Sequence, residues 1–391
     1  MTALLVIIYI SFISLGLPDS LLGTAWPVMH TDLNLPISAA GAISMIVSGG
    51  TVISSLLSAR MIRRFGTGRV TAVSVLLTAV ALLLFSVSRS FFVFCLLAVP
   101  LGLGAGSVDA ALNNFIALHY KARHMSWLHC FWGVGCTAGP VIMAYFLARG
   151  GDWPAGYRTV GIIQSVLVVG LFVTLPLWKK AATDAELSDG QAAKPLPAKE
   201  LIRLPGAKQG MASFYVYCSI ESTIMLWGAS FLVQARGVSA ETAAHWISLN
   251  ILGVTLGRLA SGFVSMKLSS RQMIRIGQST IAVGALLLAF LQGGSWPAVG
   301  LFVIGLGCAP VFPSLLHETP RNFGAAHSQQ IMGIQMACAY IGTTCTPPLV
   351  GLLFSALGYG LLPYCVLALG IGALLLTLSL YAHVDAGKRN A

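Results

Sequence analysis

Three carboxylic acids stand inside long apolar stretches of this 391-residue chain: Asp19, Asp109 and Glu221. The other acidic residues fall in polar connections or near the ends of the apolar stretches. An ionised carboxyl at the centre of a bilayer costs at least ~2.5 kcal/mol, so it persists where it faces water or holds a proton part of the time. Both circumstances describe a path for an ion or a polar solute. The plain alternative is a neutral acid hydrogen-bonded to a backbone carbonyl. No Lys or Arg is expected at comparable depth, so local ion pairs are not the first explanation for these acids.

Spacing enlarges each candidate site. Asn113 lies four residues after Asp109, on the same helical face, with Asn114 beside it. A carboxyl and a carboxamide one turn apart supply acceptors and donors together, which suits a polyhydroxyl ligand. Gly102, Gly104 and Gly106 thin the preceding turns, and close helix packing is their first reading. Tyr217 and Glu221 repeat the four-residue spacing. Trp227 stands nearer the outer end, where a place in the interfacial aromatic belt competes with ligand stacking. His129 is placed well inside its stretch, as a proton relay or solute contact, or as a neutral ring on a carbonyl. Gln164, Asn250 and Gln335 read either as solute contacts or as helix-to-helix hydrogen bonds. Asp19, Asp109 and Glu221 are thus the candidates for proton coupling. For the solute they are joined by Asn113, His129, Tyr217, Trp227, Asn250 and Gln335.

The elements that must position these residues are membrane helices. The chain is 56% apolar and 9% charged, against roughly 25% charged residues in a soluble domain. Twelve spans of about the length that crosses hydrocarbon are expected at 3–28, 38–60, 68–88, 91–118, 126–148, 157–178, 209–234, 243–266, 272–292, 296–317, 327–354 and 358–382. One polar connection at the midpoint divides them, so the expected organisation is a six-helix bundle at 1–178, a linker at 179–208 and a second bundle with a short tail at 209–391. The fold class is an all-α membrane protein with two pseudo-symmetric bundles. Internal matches support the symmetry: Gly102-Leu103-Gly104 returns as Gly305-Leu306-Gly307, and Asp19 lies 202 positions before Glu221.

Charge placement gives the topology. Nineteen of the 23 Lys and Arg residues fall in the connections after spans 2, 4, 6, 8 and 10 and in the tail, leaving Arg89, Arg149, Arg158 and Arg236 on the other side. Short loops rich in these residues stay cytoplasmic, which puts both termini and the linker there. The +11 net charge is therefore a topology signal, and nucleic acid is not an expected partner. Arg60, Arg63, Arg64 and Gly66 form a basic hairpin after span 2 that is the candidate gate latch, with a looser counterpart from Gly257-Arg258 to Arg271 after span 8. The eight cysteines form no CxxC pair and no zinc spacing, and phosphate-loop, HExxH and GxSxG motifs are missing. No metal or cofactor is expected, and enzyme chemistry is not.

The twelve-span layout, the central loop and the Gly66 hairpin resemble the major facilitator superfamily over essentially the whole chain, with Arg63 standing where that superfamily carries an aspartate. Three segments are similar to fucose-permease-type sugar–proton symporters: Gly16-Leu17-Pro18-Asp19-Ser20-Leu21-Leu22, Asp109-Ala110-Ala111-Leu112-Asn113 and Ala309-Pro310-Val311-Phe312-Pro313. The resemblance implies that Asp19 and Asp109 carry proton coupling and sugar binding, with Asn113 beside the latter. It implies a secondary transporter working by alternating access, with spans 1, 4, 7 and 10 lining a central cavity. Proton-coupled import of a sugar or similar small polar solute is the expected function. Proton-coupled export of an amphipathic metabolite or drug, and sodium-coupled sugar uptake, are the alternatives. The expected setting is the bilayer of a bacterial inner membrane, with a monomeric chain.

Overall fold

The structure, a computed structural model, describes residues 2–19, 21–36, 39–150, 152–179, 196–291 and 293–389. Most of the expected linker, including Asp184, Glu186, Asp189 and Pro195, lies outside the described residues. In hydrocarbon, backbone groups must be satisfied within the segment, which leaves a chain this apolar the helix as its repeating element. Among the described residues, twelve helices are long and apolar enough to cross a membrane: Ala3–Asp32, Ala39–Phe65, Thr67–Val87, Phe91–His119, Ala122–Leu147, Trp153–Val173, Ala207–Arg236, His245–Val264, Ser270–Phe290, Trp296–Phe323, Ala325–Leu357 and Tyr359–Arg389, here spans 1 to 12. Spans 2, 10 and 12 run a turn or more past their expected ends. The last turn of each carries basic residues (Arg63 and Arg64, Arg321, Lys388 and Arg389), and cations at a helix C-terminus complement its dipole.

Helix ends follow local chemistry. Gly66 separates spans 2 and 3 at φ 78°, a backbone conformation that favours glycine. Asp152 caps span 6 by accepting from the Ala155 N–H at 3.0 Å, with Pro154 in the first turn. Ser269 and Gln272 form a reciprocal capping box at the start of span 9.

The chain divides into two compact units, Met1–Phe115 with Leu128–Lys194, and Ile116–Trp127 with Pro195–Ala391. Residues 116–127, which the sequence places in the first bundle, group with the second unit. Each unit is built around glycines that let helix backbones touch. A Cβ on Gly102 would strike the Val47 carbonyl, and one on Gly305 the Asn250 carbonyl. Gly104 meets the Ser74 carbonyl as Gly307 meets that of Gly277. All four correspondences are 203 positions apart. Spans 2, 3 and 4 and spans 8, 9 and 10 thus repeat one packing arrangement, and the packing reading of Gly102 and Gly104 holds.

Span 1 is not continuous. Its helix runs over Thr2–Gly16, turns through Leu17–Asp19 and resumes over Leu21–Asp32. Pro18 is the cause, because it has no N–H to give the Ser14 carbonyl. That carbonyl accepts instead from Gln164 Nε2 of span 6 at 2.7 Å, and Gln164 Oε1 accepts from Thr78 Oγ1 of span 3 at 2.9 Å. Gln164 therefore ties three helices together behind the break.

Candidate functional site

Asp19 sits at the break in span 1, in the turn Leu17–Asp19. Its carboxylate accepts from Trp132 Nε1 at 3.0 Å, and the Cys136 thiol lies 3.9 Å away. Both donors come from span 5, whose close approach is set by Gly135 and Gly139 against the carbonyls of Ile13 and Leu17. The helix interruption and the neutral donors place an exposed carboxyl inside a membrane span. The sequence singled out Asp19 but did not pair it with Trp132 or Cys136. Their spacing of four residues on one face of span 5 is the signal that was there to read.

Asp109 is buried, and Asn113 Nδ2 donates both to its Oδ1 at 2.7 Å and to its backbone oxygen at 2.9 Å. The carboxamide oxygen faces His129 Nε2 of span 5 at 3.1 Å. With the amide nitrogen spent on Asp109, the oxygen is the acceptor and His129 donates through Nε2–H. The other side of the imidazole packs edge-on against Phe12 of span 1, with ring centroids 5.6 Å apart. Three residues singled out in the sequence are thus one chain of hydrogen bonds from span 4 to span 5. Such a chain presents a carboxyl, an amide and an imidazole, which together can hold a proton and hydrogen-bond a polar ligand.

Glu221, in the second unit, has a different environment from the one expected. Arg258 Nη2 approaches its Oε1 at 3.3 Å, with the arginine side chain 5% and the glutamate 28% exposed. The expectation that no Lys or Arg lies at comparable depth is therefore corrected. Arg258 is not part of a basic hairpin after span 8; it lies inside the helix Ala240–Val264, nearly two turns before its end. A buried arginine in an apolar helix needs a carboxylate, and Glu221 is that partner. The signal was its position within the expected span 243–266.

The remaining candidates make contacts between helices. Tyr217 is buried and donates its hydroxyl to the Cys308 carbonyl of span 10 at 3.0 Å. Trp227 Nε1 donates to the Pro347 carbonyl of span 11 at 2.7 Å, and its ring covers Gly351. Asn250 Nδ2 donates to the Leu301 carbonyl at 2.7 Å, and Gln335 Oε1 accepts from Thr319 Oγ1 at 2.9 Å. For Asn250 and Gln335 the packing reading is the one these contacts support. Arg60, Arg63 and Arg64 are exposed at the end of span 2, and Arg64 lies over the ring of Phe65 at 5.3 Å.

Known proteins bear on this arrangement. The family model of the Major Facilitator Superfamily matches residues 8–328 and 211–390. The glucose/mannose transporter GlcP of Bacillus subtilis is 22% identical over 316 residues, covering 79% of this chain and 77% of the relative. The hexuronate transporter of the same organism is 23% identical over 318 residues, covering 74% and 73%. Among solved structures, the E. coli fucose:proton symporter FucP superposes with TM-score 0.74 at 13% identity, covering 97% of this chain and 98% of that one. The proton:xylose symporter XylE superposes with TM-score 0.76 at 13% identity, covering 97% and 95%. At these identities the structures show a shared fold. The chain belongs to the Major Facilitator Superfamily, a family of transporters and not of enzymes, and is a multi-pass membrane protein that moves a small-molecule substrate by secondary transport.

Proposed function

We propose that the chain couples the inward movement of a proton to uptake of a sugar or similar small polar solute, with Asp19 and Asp109 as the coupling acids. The observation that carries this reading is the partner chemistry of the two acids. Asp19 accepts from an indole N–H and Asp109 from a carboxamide, while Glu221 faces a guanidinium. A carboxyl among neutral donors can take up and release a proton without abandoning a buried cation; Glu221 cannot. Protonation removes the charge that makes an empty site costly to move through the bilayer. The loaded carrier can then change the side to which its site opens. Asn113 and His129 complete the hydrogen-bonding set for a hydroxylated solute, and the relatives that move glucose, mannose and hexuronate support that class. The basic ends of the spans support an orientation with both termini cytoplasmic, in a bacterial inner membrane.

The test is uptake into proteoliposomes at fixed sodium with an imposed proton gradient, over a panel of neutral sugars and sugar acids. Accumulation of one of them that collapses with a protonophore supports the reading. Extrusion in vesicles of known orientation, or accumulation that follows sodium and ignores the proton gradient, would replace it with one of the alternatives.

A further inference from the structure

A small cavity of about 10 Å³ lies behind the break in span 1, between spans 1, 3, 4 and 6. That is room for one water molecule and for little else. Among the residues that line it are Ser11, Ser14, Leu15, Thr78, Val108 and Gln164. Ser14 is 4% exposed, and its Oγ is buried without a hydrogen-bond partner. A buried hydroxyl is almost always satisfied by protein or by ordered water, so this one marks a missing partner.

The backbone beside it is short of donors as well. Pro18 deprives the Ser14 carbonyl of its helical N–H, and Gln164 Nε2 replaces it. The Asp19 N–H, which an unbroken helix would give to the Leu15 carbonyl, goes to Gly16 at 3.3 Å. Elsewhere on the lining the hydroxyl protons are already committed. Ser11 Oγ donates to the Ile7 carbonyl at 2.8 Å, and the one proton of Thr78 Oγ1 is shared between the Val75 carbonyl and Gln164 Oε1, each at 2.9 Å. Their lone pairs remain. The cavity therefore offers acceptors, one unspent hydroxyl and space for a single small donor.

We propose that one ordered water fills this cavity and is a fixed part of the break, donating to the Leu15 carbonyl and bonded to Ser14 Oγ. Ordered waters are one of the means by which proline-broken membrane helices satisfy the groups they free. A sodium ion fits less well, because every residue lining the cavity is neutral and its charge would go uncompensated. Pro18 and Val108 line the same cavity and are the chain neighbours of Asp19 and Asp109. The water thus holds the turn that presents Asp19 at a fixed distance from the helix that carries Asp109. This inference stands independently of the solute and of the coupling ion.

An experimental map of the whole chain in lipid nanodiscs, at a resolution that shows ordered water, tests it. The expected result is a peak at hydrogen-bond distance, about 2.6–3.2 Å, from both Ser14 Oγ and the Leu15 oxygen, with the same height in sodium and in potassium buffer. In Ser14→Ala the peak weakens or disappears while the helix break persists. An empty cavity in the wild type, a peak whose height follows sodium, or an unchanged peak in Ser14→Ala would overturn the proposal.

Discussion

Near the basic end of span 3, Gly68 leaves room for the indole of Trp178, which also packs on Phe115 with ring centroids 5.3 Å apart. The positions 203 residues on are Arg271, Glu318 and Tyr381. There the Arg271 guanidinium lies over the Tyr381 ring at 4.3 Å, reaches Glu318 at 3.6 Å and forms a two-pronged pair with Asp385 at 2.8 and 2.9 Å. The same contrast runs through the middle of the units. In the first, Asp19 and Asp109 are answered by Trp132, Cys136 and Asn113; in the second, Glu221 is answered by Arg258. Duplicated backbone packing has been kept, down to the glycine contacts, while the polar chemistry has diverged. One unit meets its membrane-span acids, Asp19 and Asp109, with neutral donors. The other unit locks its acids to arginines.

That contrast can be broken at four points. The largest effect is expected from Asp109→Asn, which should reduce gradient-driven accumulation to the level of protein-free liposomes while leaving solute exchange at equal concentrations measurable. Next is Arg258→Met, which strands the carboxylate of Glu221. A broken buried pair costs about 3 kcal/mol, the low end of the usual range because Glu221 is 28% exposed. Denaturation in mild detergent should show the loss, and adding Glu221→Gln should recover most of it. Full destabilisation in the charge-neutral double variant would mean that packing, not pairing, holds Arg258 in place.

Trp178→Ala removes a side chain that is 4% exposed. In a membrane protein lipid is as apolar as the core, so only packing is lost, about 2 kcal/mol, and the loss should be the same at low and high salt. Arg271→Met should cost about 1 kcal/mol, since its partner Asp385 is half-exposed and screened and the buried Glu318 keeps Arg321 at 3.7 Å. Here the wild-type advantage should shrink as salt rises. Equal salt dependence at both ends would erase the distinction between them.

Much of this arrangement was legible in the sequence, and for identifiable reasons. Spans 1 to 12 announce themselves because hydrocarbon imposes length and apolarity on each helix separately. Asp109, Asn113 and His129 could be singled out because polar groups stand out in such stretches, and the first two share a face. What stayed hidden was long-range pairing. Arg258 looked like one more topology charge, and only the packing of span 8 against span 7 brings it to Glu221. Asn250 and Gln335 read equally as solute contacts or as helix-to-helix hydrogen bonds, and only the packing supplies the partners Leu301 and Thr319. The break in span 1 was not expected, since the span reads as one stretch over 3–28: Pro18 stands at the place, but the stand-in donor Gln164 lies 150 positions away in sequence.

The central claim is that the first unit carries the coupling proton and the second does not. Its most direct test is the pH of a weakly buffered suspension of proteoliposomes on addition of the transported solute, compared across three proteins. The account predicts external alkalinisation with the wild type, the same alkalinisation with the paired Glu221→Gln and Arg258→Met variant, and none with Asp109→Asn. A signal that survives Asp109→Asn and vanishes in the paired variant would contradict it.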